Sequence, residues 1–467
     1  MQRNYVWIWA TLGGGLTLVM VGALIAAAGP ETLVAATPSP ATSASMAPTT
    51  SPSASPTVPA GKATPGGEGA KLREVDGGVD YYAKFSPSLP TSKDFFPLAV
   101  WFESVVSRDD IAQDKAAGIN TYIELTNSTK RSLIKEAGMY AIASEPGMGA
   151  GSETVGWLVS DEVDMWGGPG SNPWTGNFPG EGDICSGGDC GYTIQRQLAA
   201  KLPDDKRLRF SNYGKGISFW QSKEQASVFV NEFQDVVSAD TYWFTDLNIC
   251  GFSEGGTFYG GGKVPDDKCH LASNYGDTVD RVRSLVKPAR SKPVWNFVEL
   301  GHPFTEDYYP TATPEQVVAG VWSSIIHGAR GIIYFNHSFG GNCLTQHLLR
   351  DPCYRDMRAA VSKLNARVKR LAPVLNAPFA DGVLKTSSGV DAAVKWYDGN
   401  FYIIAGAAAP GRTKATFTLK CVGDATITVL DERRTITTTK GAFTDTFANS
   451  NAVHIYRVDG GSSCGAY

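Results

Sequence analysis

From about Asp94 to Pro373 the chain alternates short apolar runs with amphipathic ones. Apolar runs of a few residues bounded by turn residues read as buried strands, and longer runs with a helical apolar period read as helices. The first strand is residues 97–102 (PLAVWF), followed by a helix over 108–117 with Asp109 and Asp110 in its first turn, where carboxylates meet the positive end of the helix dipole. Residues 120–125 (NTYIEL) are a second strand, with a helix from near Asn127, and residues 140–144 a third. Residues 155–162 (VGWLVSDE) form the fourth, with 190–201 as its helix, and residues 208–213 (LRFSNY) the fifth, with a helix over 223–233. Residues 236–244 are the sixth, with 275–286 as helix; residues 293–300 (PVWNFVEL) are the seventh, before a helix that opens at Thr313, Pro314 and Glu315. Residues 331–337 (GIIYFNH) are the eighth, and 354–371 the closing helix.

Strands alternating with helices imply a parallel sheet with helical crossovers. Eight such repeats fit a closed (β/α)8 TIM barrel, which typically takes about 250 residues. The competing fold is a doubly wound nucleotide-binding sheet, but no GxGxxG or Walker pattern follows the first strand. From about Ala377 the pattern changes to strict alternation, in residues 392–397, 401–405, 415–419, 426–430 and 453–458, with Asp398, Gly399 and Asn400 at one turn. That predicts a small antiparallel β-sandwich packed on the barrel.

The start of the chain sets the compartment. Residues 6–28 are apolar or small and uncharged, with Arg3 ahead of them. The run reaches the ~20 residues that span a bilayer as a helix and exceeds the ~7–15 apolar residues of a cleaved signal peptide. An uncleaved anchor with the rest of the chain outside is the favoured expectation, although Ala26, Ala27 and Ala28 offer a cleavage site. Residues 30–69 are mainly Ala, Thr, Ser, Pro and Gly. Such a stretch buries too little surface to offset its ordering entropy, and reads as a stalk. The expected divisions are therefore 1–29 signal peptide or anchor, 30–72 linker, 73–375 barrel and 376–467 β-sandwich.

The 467 residues carry eight cysteines, all after the stalk, as the near neighbours Cys185 and Cys190, Cys250 and Cys269, Cys343 and Cys353, and Cys421 and Cys464. In an exported chain these read as loop-stapling disulfides, with neighbour pairing the expectation. Aromatic residues make up 11%, charged residues 19%, and the net charge is -4. Without a basic surface no nucleic-acid partner is expected, whereas aromatic-rich chains suit neutral sugars, whose C–H faces stack on rings. The six histidines are scattered without HExxH spacing, so no metal is expected, and no cofactor motif occurs. One GxSxG match, GFSEG around Ser253, sits in a cysteine-bounded glycine-rich loop rather than between strand and helix, which argues against a serine hydrolase. A monomer is expected.

Barrels place their chemistry at the C-terminal ends of the strands. Those ends carry Trp101 and Glu103 on the first strand, Asp161 and Glu162 on the fourth, and Asn212 and Tyr213 on the fifth. The sixth carries Asp240, Tyr242 and Trp243, the seventh Glu299, and the eighth Asn336 and His337. The third strand adds Glu145, and the loop after the fourth adds Trp166 and Trp174. Bland alternatives exist for each. Trp101, Trp295, Tyr242 and Trp243 also suit core packing, His337 suits a structural hydrogen bond, and Asp161 competes with Glu162 for the acid role. Two facing carboxyls are what glycosidic cleavage needs, one protonated to release the leaving oxygen and one ionised. At about 5–5.5 Å apart they would act by retention through a covalent intermediate.

The stretches FFPLAVWFE, DKAAGINTY, GWLVSDEVDMW, KPVWNFVELG and GARGIIYFNH resemble the retaining glycosidase superfamily of clan A, and GAFTDTFANSNAVHIYRV resembles its common terminal β domain. The resemblance implies Glu162 as acid/base, Glu299 as nucleophile, and Tyr242 hydrogen-bonded to the nucleophile. The remaining strand-end residues named above would bind substrate. Most members have Asn before the acid/base; here it is Asp161, and Val163 replaces a following Pro. The sugar 2-hydroxyl contact would then fall to Asp161 or Asn212. The expected function is extracellular hydrolysis of a poly- or oligosaccharide. A transglycosylase using the same residues is one alternative, and a non-catalytic carbohydrate-binding or envelope scaffold protein on the same barrel is the other.

Overall fold

The computed structural model describes residues 70–144, 146, 150–169 and 190–459. The expected N-terminal anchor and most of the stalk lie outside the described residues, as do Glu145, Trp174, Cys185 and Cys464. Among the described residues no helix is long and apolar enough to cross a membrane.

Strand β1 (Lys71–Arg73) precedes the barrel strands β2 (Leu98–Glu103), β3 (Thr121–Leu125), β4 (Tyr140–Ala143), β5 (Thr154–Asp161), β6 (Leu208–Tyr213), β7 (Val236–Ala239), β8 (Val294–Glu299) and β9 (Ile332–Phe335). Strands β2 to β9 pair in parallel in chain order, and β9 closes on β2, so the sheet is a closed barrel rather than a doubly wound sheet. Around it run α1 (Arg108–Ala116), α2 (Arg131–Glu136), α3 (Val163–Trp166), α4 (Gly191–Lys201), α5 (Lys223–Glu232), α6 (Asn274–Leu285), α7 (Pro314–Ile326) and α8 (Arg355–Leu375). Helices α1, α5 and α7 start from capping boxes at Ser107, Ser222 and Thr313, which satisfy first-turn N–H groups that a helix cannot pair internally.

Alternation along the strands divides the barrel's two faces. On β8, Trp295 and Phe297 pack inward with Trp101, Phe210 and Phe335, while Asn296 turns outward and its Nδ2 donates to Ser324 Oγ of α7 at 2.9 Å. Tyr81, Tyr82 and Leu89 join the inward cluster from the segment before β2, and Trp295 Nε1 donates to Tyr82 Oη at 3.0 Å. The barrel interior and the segment before β2 thus form one buried cluster.

The C-terminal part consists of β10 (Phe379–Asp381), β11 (Leu384–Thr386), β12 (Val390–Tyr397), β13 (Asn400–Ala407), β14 (Thr413–Leu419), β15 (Thr426–Val429), β16 (Arg434–Thr437), β17 (Ala442–Phe447) and β18 (Val453–Val458). They form a seven-stranded sheet in the order β1-β10-β12-β13-β18-β15-β16 and a three-stranded sheet β11-β14-β17, with Phe401, Phe417, Phe443 and Tyr456 buried in their shared core. Ala393, Ile404 and Ile455 of the larger sheet pack with Val321 and Ile325 of α7 and Val368 of α8. Barrel and sandwich thus share a core within one compact unit, Gly61–Tyr467.

Two expectations change. Residues 71 and 72 were expected to end the linker; Lys71–Arg73 instead edges the larger sheet, where Arg73 Nε donates to Asp381 Oδ2 at 2.6 Å. Three residues are too few for an alternation pattern to register. The sixth barrel strand stops at Ala239, because the chain then turns, with Trp243 N donating to Thr241 O at 2.9 Å. The disulfides Cys250–Cys269 and Cys343–Cys353 are closed, each within a loop that follows a barrel strand.

Candidate active site

A bulge sets the phase of β5. Its register against β6 shifts between Leu158 and Ser160. Leu158 faces inward, and strict alternation would turn Ser160 inward too. One extra residue reverses that phase. Ser160 Oγ instead donates outward to Gln195 Oε1 of α4 at 2.6 Å, and Asp161 Oδ1 accepts from Asn212 Nδ2 of β6 at 2.9 Å. Glu162, the next residue, has a left-handed backbone with φ of 50° and caps α3. A non-glycine residue in that region is held there by its surroundings, a form of strain found preferentially at functional sites.

Around Glu162 lies a cluster of carboxyls from neighbouring strands. Asp240, just beyond β7, lies beside Glu162 and Asn212, and Tyr242 Oη donates to Asp240 Oδ2 at 3.3 Å. Asn212 Oδ1 in turn accepts from Ser238 Oγ at 2.7 Å, which fixes the amide's orientation. Burial is the largest influence on Glu162 and on Asp161; with the charge of Asp240 next, both are held well above the usual carboxylate range. Asp240 is pushed up to about 6, chiefly by burial. Asp164 on α3 is pushed up to about 7 by burial, against backbone N–H donors from Ile217 and Gly214. Gly216 packs so closely on Asp164 that a Cβ there would lie 2.4 Å from its carbonyl oxygen. Glu124, whose charge also raises Asp161, comes from β3, where it too has a positive φ, of 57°.

Glu299 ends β8 and is fully buried. Its Oε1 accepts from Phe244 N at 2.9 Å and from Thr245 Oγ1 at 3.3 Å, and its Oε2 accepts from Tyr275 Oη of α6. Burial pushes Glu299 up to about 7 despite these donors. Tyr242 was expected to hydrogen-bond Glu299; its hydroxyl goes to Asp240 instead, and Tyr275 serves Glu299. The Tyr242 phenol nevertheless feels the charges of Asp240, Glu162, Asp161 and Glu299 together, which with its burial raise it well above its usual value.

The other expected substrate contacts divide. Trp101 packs inside the barrel, its ring 5.3 Å from Phe297. His337 is buried, with Nε2 against Trp101 O at 3.1 Å and its ring stacked on Phe339; burial pushes it down to about 4, so it is neutral at neutral pH. Four residues are engaged elsewhere. Tyr213 turns outward, its hydroxyl bonded to Phe229 O and Gln234 of the α5 layer. Trp243 is buried, with Nε1 donating to Thr278 of α6. Asn336 Nδ2 donates to Glu103 at 2.6 Å, and Glu103 also meets His347 and Ser104 N. Glu103 and Asn336 thereby tie the loop after β9 to the end of β2. The GFSEG stretch runs through turns beside Cys250 with no strand before it, the wrong scaffold for a nucleophile elbow.

Asp164 and Tyr275 were missed. Asp164 lies beyond a strand end, and Tyr275 arrives from a helix, so reading strand ends finds neither.

No family model matches the chain, and no curated protein matches it. Solved structures similar to it include a glycoside hydrolase family 5 protein from Bacteroides vulgatus, at 12% identity and a TM-score of 0.47, covering 79% of this chain and 90% of that one. Another is a family 30 endoxylanase from Clostridium papyrosolvens, at 10% identity and a TM-score of 0.41, covering 84% and 98%. A third is a family 27 β-L-arabinopyranosidase from Geobacillus stearothermophilus, at 11% identity and a TM-score of 0.42, covering 82% and 98%. The barrel is established by its own closure.

Proposed function

We infer that this chain is a glycoside hydrolase acting on a poly- or oligosaccharide, with Glu162 as proton donor and Glu299 as the anionic partner. The observation that carries the reading is a carboxyl, Glu162, at the end of a barrel strand, whose burial beside Asp161 and Asp240 favours its protonated form. A protonated carboxyl beside a leaving oxygen is a general acid. It transfers its proton to the glycosidic oxygen as the bond to the anomeric carbon breaks. Glu299, ionised and oriented by Phe244 N–H, Thr245 and Tyr275, attacks that carbon. The resulting Glu162 carboxylate then takes a proton from the water that releases the sugar. This is a retaining double displacement.

A second assignment has an observation of its own. Asp240, not Glu299, is the carboxyl whose neighbourhood raises Glu162, and Glu299 has no exposed surface. In that assignment Asp240 is the second catalytic carboxyl and Glu299 is structural.

The compartment is part of the proposal. The apolar N-terminal run, the Ser/Thr/Pro-rich stalk and the two closed loop disulfides favour an exported enzyme, anchored or secreted.

The test is hydrolysis by the full-length protein on a panel of polysaccharides and aryl glycosides, beside Glu162→Gln, Glu299→Gln and Asp240→Asn. Cleavage lost in Glu162→Gln and Glu299→Gln supports the first assignment. Cleavage that survives Glu299→Gln but not Asp240→Asn moves the role to Asp240. No cleavage across the panel, with glycan binding intact, sinks the enzyme reading and leaves a carbohydrate-binding protein.

A further inference from the structure

Six large apolar side chains are exposed among the described residues: Val106, Trp166, Leu247, Phe252, Tyr308 and Leu344. Each lies in a segment that follows a barrel strand, so each belongs to the face that carries the carboxyls. Among the described residues, the helices other than α3 and the sandwich show none. Exposed apolar side chains concentrated on one face mark a binding surface, whereas scattered ones do not.

Two of these groups are built rather than incidental. Trp166 is 58% exposed, yet its Nε1 donates to Asp161 O at 3.0 Å. The edge of the indole is thereby pinned to the residue before Glu162, leaving ring surface open beside the carboxyls. Tyr308, 72% exposed, begins a run of rings on the loop after β8. Its ring lies 5.0 Å from that of Tyr309, which stacks on Phe304 at 4.3 Å and 18°; Phe304 meets Tyr242 edge-on at 6.0 Å. The run therefore descends from the rim to the phenol that donates to Asp240. β5 and β8 are separated by two strands on the short way round the eight-stranded ring, so the two groups stand on nearly opposite sides of the mouth.

A pyranose offers C–H faces to rings and hydroxyl edges to carboxyl and amide groups, a match for a site with apolar walls and a few placed polar groups. A single sugar seated at the carboxyls would leave both exposed platforms unused. A chain continuing in both directions covers both.

We propose that Trp166 and the Tyr308–Tyr309–Phe304 run are sugar-binding platforms on either side of the carboxyl cluster, so that the site takes a neutral glycan chain and cuts it internally. The cutting rests on the glycosidase reading; the platforms do not. The neutral class follows from the side chains that bond the cluster among the described residues, Asn212 on Asp161 and Tyr242 on Asp240, both uncharged. An acidic glycan would bring like charge to that cluster.

The test uses the full-length Glu162→Gln protein, with Trp166→Ala and Tyr308→Ala added singly and together. Each protein is run through native gels containing laminarin, arabinose-free β-1,4-xylan or β-1,4-mannan. Both aromatic side chains are exposed, and near-ultraviolet circular dichroism checks that the fold is unchanged. The expected result is retardation by at least one polymer, weakened about tenfold by each substitution and further by both, the size of a lost aromatic contact. On the retarding polymer the native protein is expected to lower viscosity before monosaccharide accumulates. Retardation untouched by both substitutions overturns the proposal, as does retardation by none of the polymers, or release of monosaccharide alone. Platform-dependent retardation without hydrolysis by the native protein keeps the platforms and removes the glycosidase reading. Hydrolysis of aryl glycosides with no polymer retarded does the reverse.

Discussion

At the scale of single residues, the site depends on which carboxyl keeps its proton. Glu299 sits near the middle of the titration range because burial raises it and three donors oppose that rise. Removing one donor must raise it further. Tyr275→Phe deletes the hydroxyl that bonds Oε2 and leaves the ring in place. If Glu299 acts ionised, its deprotonation sets the acid limb of kcat/KM. That limb, expected near pH 7, should move to higher pH in Tyr275→Phe, by up to about one unit, with a lower maximum. An unmoved limb would detach Glu299 from the chemistry. Covalent labelling gives a second check. A 2-deoxy-2-fluoro aryl glycoside of the sugar the protein cleaves should attach to Glu299, and a label on Asp240 or Asp161 would choose the other assignment.

Glu162 and Glu299 were legible in the sequence because each ends an apolar run, and strand ends are where a barrel keeps its polar groups. The pairing of Glu162 with Asp240 was not legible, since it depends on how a bulge re-aims β5. Tyr213 and Trp243 also sit at strand ends, yet Tyr213 faces the α5 layer and Trp243 the α6 layer. Sequence position gives the height of a side chain in a barrel, whereas local phase decides whether it turns in or out.

At the scale of elements, α7 illustrates what local signals can do. Thr313, Pro314 and Gln316 supply an N-cap, a proline at the first turn and the returning side chain of a capping box. Thr313→Ala should cost about 1 kcal/mol of stability, read from the midpoint of denaturant unfolding. Thr313→Ser should recover most of it. The β-sandwich was readable as alternation, but its three-residue strands were not. β1 has no pattern of its own and exists because β10 offers it an edge. Phe417 shows the weight of the sandwich core: it is fully buried and stacks on Phe443 at 4.7 Å. Phe417→Ala is expected to lose about 3–5 kcal/mol.

For the whole molecule, the buried carboxyls tie stability to pH. Asp164, Asp240 and Glu299 have folded-state values of about 7, 6 and 7, above the roughly 4 of an unfolded chain. A carboxyl raised on folding contributes stability that is fully present below its unfolded value and is lost as pH rises through its folded value. The melting temperature should therefore fall between about pH 5 and pH 8. His327 does not offset this fall. It sits between Asp280 of α6 and Asp391 of β12 and is pushed up from 6.5 to about 10. The stability it contributes is present below its unfolded value, is lost as pH rises toward its folded one, and so deepens the decline at the upper end of the window. Asp240→Asn should flatten the decline, seen in melting curves at several pH values. A decline of unchanged slope would mean that Asp240 is not buried in its charged form.

The amino-acid sequence determined the barrel, the sandwich and the height at which the candidate carboxyls stand. These follow from local periodicity, which each segment carries within itself and which burial then enforces. Only the tertiary structure decided which carboxyls cluster around Glu162, which tyrosine holds Glu299, and that Glu103 and Asn336 secure a loop. Those outcomes depend on side chains far apart in the chain meeting across strands and helices. A bulge of one residue or a helix arriving from outside the barrel changes them without altering any local pattern.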